Sequence, residues 1–227
     1  LLMVNGLGEL DQTNTDAIMQ WLSANGALYG TYTVMRMIGR VAFPIFCFLL
    51  VEGFLHTHDV KKYAMRLGLF ALLSEIPFDL AFSSKILEFN YQNVFFTLFI
   101  GLLTMIAYRA VEEKEEWGQA WKVILYILIV AAGMALAYFL KTDYAEKGVF
   151  CIMVLYIFRK KKMWQLIAGC ASFIWETPAL FGFIPIAFYN GTRGWKMKYF
   201  FYIFYPAHLL ILYLLCYFMG ISGYSAV

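Results

Sequence analysis

The sequence predicts an all-α polytopic membrane protein: one helical bundle of about 7–9 transmembrane segments, some of them short or broken. Three observations carry this. Hydrophobic residues make up 62% of the 227 and charged residues 15%, against roughly a quarter charged in soluble domains. Apolar runs near the ~20 residues needed to cross a bilayer recur along the chain. The mean hydropathy is +0.67. A net charge of +3 is too small to point to nucleic acid. Cys47, Cys151, Cys170 and Cys216 stand singly in apolar stretches, without metal-ligand spacing, and read as small core residues.

Taken in order, Leu1–Leu10 is a short apolar start broken by Asn5, Gly6 and Gly8. No cleavable signal peptide is evident, and the missing initiator Met leaves room for further N-terminal residues. After a polar turn, Ala17–Thr33 carries Trp21, Tyr29 and Tyr32 and suits an aromatic belt at an interface. The first clear span is Val34–Leu55, followed by Tyr63–Phe82, Asn93–Tyr108, Trp121–Leu140 and the shorter Gly148–Phe158. Met163–Tyr189 is apolar but interrupted by Glu176-Thr177-Pro178, and proline breaks helices. The basic stretches Lys61–Arg66, Arg109–Lys114 and Arg159–Lys162 fall on one side, cytoplasmic by the positive-inside rule. Arg193, Lys196 and Lys198 join them only if 163–189 enters and returns as a re-entrant hairpin, which is the expectation. Lys196–Met219 holds the last span, with Pro206 inside it. The whole chain, 1–227, reads as one domain: 1–33 the apolar start and interfacial segment, 34–219 the bundle.

Ionisable groups inside such spans are costly and mark sites by default. Glu52 and His56 are four apart, so a helix stacks them on one face. If the first two spans form a tight antiparallel hairpin, Arg66 lies level with Glu52 and His56. The same register sets Asp79 level with Arg40, and Glu75 one turn away. Two clusters are expected: Glu52, His56 and Arg66 towards the cytoplasm, and Arg36, Arg40, Glu75 and Asp79 further out. The bland alternative is a set of salt bridges that lock helices together. His208 falls within the last span beside Pro206, where a satisfied core histidine is the equal alternative. His56 and His58 point to different helix faces, so no metal site is expected. The turn Tyr189–Gly194 offers amides and cations, with Asn190, Gly191, Arg193 and Lys196 as candidate phosphate contacts; an ordinary positive-inside loop is the plainer reading. Asn93 is either a helix cap or a buried amide that orients a substrate.

Several strings, in order, resemble the TraX family of integral membrane proteins: IGRVAFPIFCFLLVEGF, HT…VKKY…RL, SEIPFDL, QNVFFT, DY followed by GV, YNGTRG and FYIFYPAHLL. They cover about residues 34–215. The resemblance implies a transmembrane acyltransferase that approaches acetyl-CoA from the cytoplasm, the best-known family activity being acetylation of the amino terminus of pilin. Family members begin with an apolar helix ending in Asp-His; here the opening reads LLMVNGLGEL, with Asn5-Gly6 at about that place. The function expected is transfer of an acetyl group from acetyl-CoA to an amine or hydroxyl of a peptide, glycan or lipid acceptor, in a bacterial cytoplasmic membrane. His56, oriented by Glu52, is the first choice as base and His208 the second. Arg40, Arg66, Glu75, Asp79 and Asn93 are the candidate substrate contacts. A small transporter and a non-catalytic partner in pilus or envelope assembly are the alternatives.

Overall fold

The computed structural model describes residues 15–83, 85–192 and 198–219. Leu1–Leu10, Asn5-Gly6, Arg193 and Lys196 lie outside them. The elements are α1 (Thr15–His56), α2 (Val60–Ser83), α3 (Val94–Glu112), α4 (Gln119–Phe139), α5 (Ala145–Ile157), α6 (Lys162–Ser172), a 3-10 turn (Thr177–Gly182), α7 (Phe183–Phe188) and α8 (Lys198–Phe218). Ser23–His56, α3 and α4 are long and apolar enough to cross a membrane. The chain is an all-α membrane protein, and no strand occurs among the described residues.

Helix α1 absorbs the expected interfacial segment, bending at Asn25, where the backbone leaves helical geometry (φ −119°, ψ 20°). Its lower half builds the core. Phe43, Cys47, Val51 and Phe54 recur at helical spacing and are all buried. They share one cluster with Leu102 and Met105 of α3 and Val149, Ile152 and Tyr156 of α5. Helix α4 joins this core at Ala137, with Tyr126, Ile129, Val130 and Met134 packed against it, and it buries only Gly133 and Ala137, as suits a helix with one face to lipid.

Segment 163–189 folds back as the sequence suggests. Lys162 Nζ at the start of α6 donates to the Tyr189 carbonyl at the end of α7 (2.6 Å), and Gly169 packs against Phe183. The tip, Phe173–Glu176, is where Pro178 forbids a continuous helix. The 3-10 turn beyond it packs on α1. A Cβ on Gly182 would meet Pro44 Cγ at 2.6 Å and the Val41 carbonyl oxygen at 2.7 Å. Gly182→Ala is therefore expected to lower the thermal midpoint in detergent, by about 1–3 kcal/mol of overpacking, since a backbone oxygen cannot step aside as a side chain can.

The expected tight hairpin of the first two spans does not form. Tyr63 approaches Gly53 near the connection, but α1 then packs mainly on the 3-10 turn, α5, α3 and α7, while α2 packs on α3 and α8. Helices α2 and α8 run side by side in parallel: Phe70 stacks on Tyr202 (4.6 Å), and Phe78 shares a small buried cluster with Leu209. That register sets His208 level with the turn of α2 between Glu75 and Asp79.

Candidate functional site

Two polar centres occupy opposite ends of the bundle. Arg40 and His56 belong to one helix sixteen residues apart, about 24 Å at 1.5 Å per residue. The stretch of α1 between them is mostly core.

At the His56 end, the Nδ1 of His56 lies 2.9 Å from the Glu52 carbonyl oxygen and 3.8 Å from the Glu52 carboxylate. The Tyr189 hydroxyl lies within electrostatic reach of the Glu52 carboxylate, and Tyr189 packs edge-on against Phe48 (5.2 Å). Asn190 and Gly191 follow directly. Gly191 adopts a left-handed backbone (φ 75°), and Asn190 Oδ1 accepts from the Thr192 amide (3.0 Å). The candidate base and the candidate phosphate turn are thus brought together. Arg66 stands at the same end but forms no ion pair with Glu52 among the described residues. Its guanidinium instead lies against the Tyr202 hydroxyl, and its Nε is buried without a partner. Glu112 and Arg159 close this end with an ion pair at 2.7 Å.

At the Arg40 end, the expected pairing of Arg40 with Asp79 or Glu75 is replaced. Arg40 Nη1 donates to Glu176 Oε2 at 3.0 Å, and its guanidinium carbon lies 5.7 Å from the centre of the Tyr144 ring. The splay of α1 from α2 takes Arg40 away from the α2 carboxylates, and the tip of the 163–189 hairpin fills the place. Asn93 is both cap and anchor. Its Oδ1 accepts from the Phe95 amide (2.9 Å), and its Nδ2 donates to the Ala71 carbonyl (2.8 Å) and to Glu75 Oε2. Asp79 Oδ2 accepts from the Glu88 amide (2.8 Å).

The α4–α5 loop supplies a residue that the sequence reading assigned no role. Asp143 accepts from the Tyr91 hydroxyl at 2.6 Å, and burial holds its carboxyl above the usual carboxylate range, against the pull of Tyr91 and Arg40. The loop is strained: Lys141 (φ 51°), Tyr144 (φ 62°) and Ala145 (φ 42°) are all left-handed without being glycine, a conformation that clusters at functional sites. It is held by a parallel bridge between Gln92 and Thr142, by Thr97 donating to the Asp143 carbonyl, and by Tyr144 stacked on Phe43 (3.6 Å). Burial pushes the Tyr144 hydroxyl up to about 12. From α8, Tyr205 brings its hydroxyl within electrostatic reach of Asp143, Glu75 and Tyr91. His208 packs edge-on against Tyr205 (5.6 Å), with Nδ1 2.8 Å from the Phe204 carbonyl oxygen.

Arg40, Glu75, Asp79 and Asn93 thus share one end, joined through Tyr91, Asp143 and Tyr205, with His208 at their level. His56, Glu52, Asn190 and Gly191 share the other. Glu176, Asp143, Tyr91 and Tyr205 were missed as site residues. Glu176 carried a signal, being the only charged residue in 163–189. Asp143 and Tyr144 stood in a family-like string without a role.

A helical bundle with a polar centre at each end and lipid-facing apolar helices defines an integral membrane protein. The chain belongs to the TraX family, whose model, described as TraX protein, matches residues 18–216. It is 27% identical over 215 residues to a protein of Dichelobacter nodosus named "Probable fimbrial assembly protein FimC, serogroup H1", covering 80% of this chain and 82% of that one. No solved structure matches.

Proposed function

We propose that this protein is a membrane-embedded acyltransferase of pilus or envelope assembly, moving an acetyl group from acetyl-CoA to an amine or hydroxyl of a peptide, glycan or lipid. It would work as a multi-pass protein of the bacterial cytoplasmic membrane, with its basic, His56-bearing end in the cytoplasm. The observation that carries this reading is the convergence of Arg40, Asn93, Asp143 and the α2 carboxylates at one end, level with His208. Acyl transfer needs a base for the acceptor proton and a donor for the developing oxyanion. The departing CoA thiolate takes up a proton in turn.

Length favours one of the two histidines. Phosphates held at Asn190 and Gly191, with Arg193 and Lys196, leave the thioester at the far end of an extended arm. His56 lies beside the phosphate turn, whereas His208 lies about 15 Å along α8 from its start. The arrangement therefore favours His208 as the base, Arg40 as the charge that meets substrate or oxyanion, and His56, Glu52 and Arg66 as contacts along the donor's entry. Among the described residues the two polar centres do not join into a continuous file across α1, which argues against a permease.

The name of the fimbrial relative favours one second reading, a non-catalytic assembly partner. Mass spectrometry of membrane and surface fractions, with and without the protein, separates the two. A species heavier by one acetyl group only when the protein is present is the expected result. Unchanged masses, together with no thermal stabilisation by CoA, would leave the assembly role.

A further inference from the structure

The α2 carboxylates carry an unmet requirement that the bundle does not satisfy. Asp79 is 1% exposed and Glu75 8%. Each is hydrogen-bonded through one oxygen only: Glu75 Oε2 to Asn93 and Asp79 Oδ2 to the Glu88 amide. The other two oxygens, Glu75 Oε1 and Asp79 Oδ1, are buried and have no partner. The neighbouring Ser74, fully buried, leaves its Oγ unpartnered as well.

No cation among the described residues pairs with these carboxylates: Arg40 pairs with Glu176 and Lys85 with Glu88. The charges that do reach the pair are of its own sign: Glu88 acts on Asp79 and Asp79 on Glu75. A buried acceptor without a donor is destabilising, more so when charged. Two such acceptors one helical turn apart, beside an unpartnered hydroxyl, leave buried oxygens that a cation would complete.

We propose that Glu75 and Asp79, with Ser74, form a buried receptor for a small monovalent cation: the ammonium of a primary amine or an alkali-metal ion. Both sources offer the same chemistry, a compact positive charge that accepts several oxygens. The same carboxylates enter the acyl-transfer reading, but cation binding here stands whether or not transfer follows. The site lies at the Arg40 end, where the 85–92 loop meets α2 through the Glu88 amide and Asp79.

The test is thermal unfolding of the whole protein in detergent at constant ionic strength, with methylammonium, sodium or tetramethylammonium chloride. Methylammonium or sodium is expected to raise the midpoint saturably, by roughly 3–6 °C at tenfold over its Kd. Tetramethylammonium, too large and without N–H donors, is expected to do nothing. A rise with methylammonium alone assigns the site to amines, and with sodium alone to alkali-metal ions. Glu75→Gln and Asp79→Asn keep the hydrogen bonds to Asn93 and Glu88 and are each expected to abolish the rise. Should one of them fail to fold, the other and the ion selectivity of the wild type decide. Equal shifts with all three cations, no shift with any, or an undiminished shift in a folded variant would overturn the proposal.

Discussion

His208→Gln is expected to fold and to bind CoA as the wild type does, yet to lose acyl transfer about 10²–10⁴-fold, the usual contribution of a general base. Histidine is the side chain suited to proton transfer near neutral pH, and His208 is the histidine at the level where Glu75, Asp79 and Asn93 converge. Glutamine keeps an amide able to meet the Phe204 carbonyl now 2.8 Å from Nδ1, so a loss of rate cannot be charged to a lost helix contact. His56→Gln is the counterpart. Its side chain is 69% exposed and sits beside Glu52, so its expected effect is on the KM for acetyl-CoA, with kcat little changed. The opposite split, kcat lost in His56→Gln and retained in His208→Gln, would return the base to the His56 end. Full rates in both would remove histidine from the chemistry.

Arg40→Ala is expected to destabilise the protein by ~1–3 kcal/mol. That is less than the 3–5 kcal/mol of a fully buried pair, because the Arg40 and Glu176 side chains remain 31% and 21% exposed. The loss has two parts. Glu176 at the hairpin tip is left without its partner, and the Tyr91–Asp143 pair loses the positive charge that reaches it. Glu176→Gln removes the first part alone and is expected to cost less. A double-mutant cycle on the thermal midpoint measures the coupling. Zero coupling would mean that Arg40 and Glu176 act independently. A stable Arg40→Ala protein without activity would assign the arginine to substrate rather than to the fold.

Composition and hydrophobic runs were enough to specify an all-α membrane protein, because lipid leaves the backbone no other way to pair its polar groups. They also located most helices closely, and the fold-back of 163–189 was legible because Pro178, Glu176 and the sidedness of the basic loops all pointed to it. Local periodicity likewise paired Glu52 with His56, since residues four apart on a helix must meet.

What the chain's order could not supply was the lateral arrangement of the helices. Counting depth along an assumed tight hairpin set Arg40 against Asp79; the real partner, Glu176, is 136 residues away and arrives only because Gly182 lets the 3-10 turn press on Pro44. The same holds for Asp143, held by Tyr91 from another loop, and for His208, whose level follows from the parallel packing of α8 on α2. Depth in a membrane is written in the sequence through hydrophobicity. Which helix faces which is fixed by shape and packing between distant segments, and only the tertiary structure decided it.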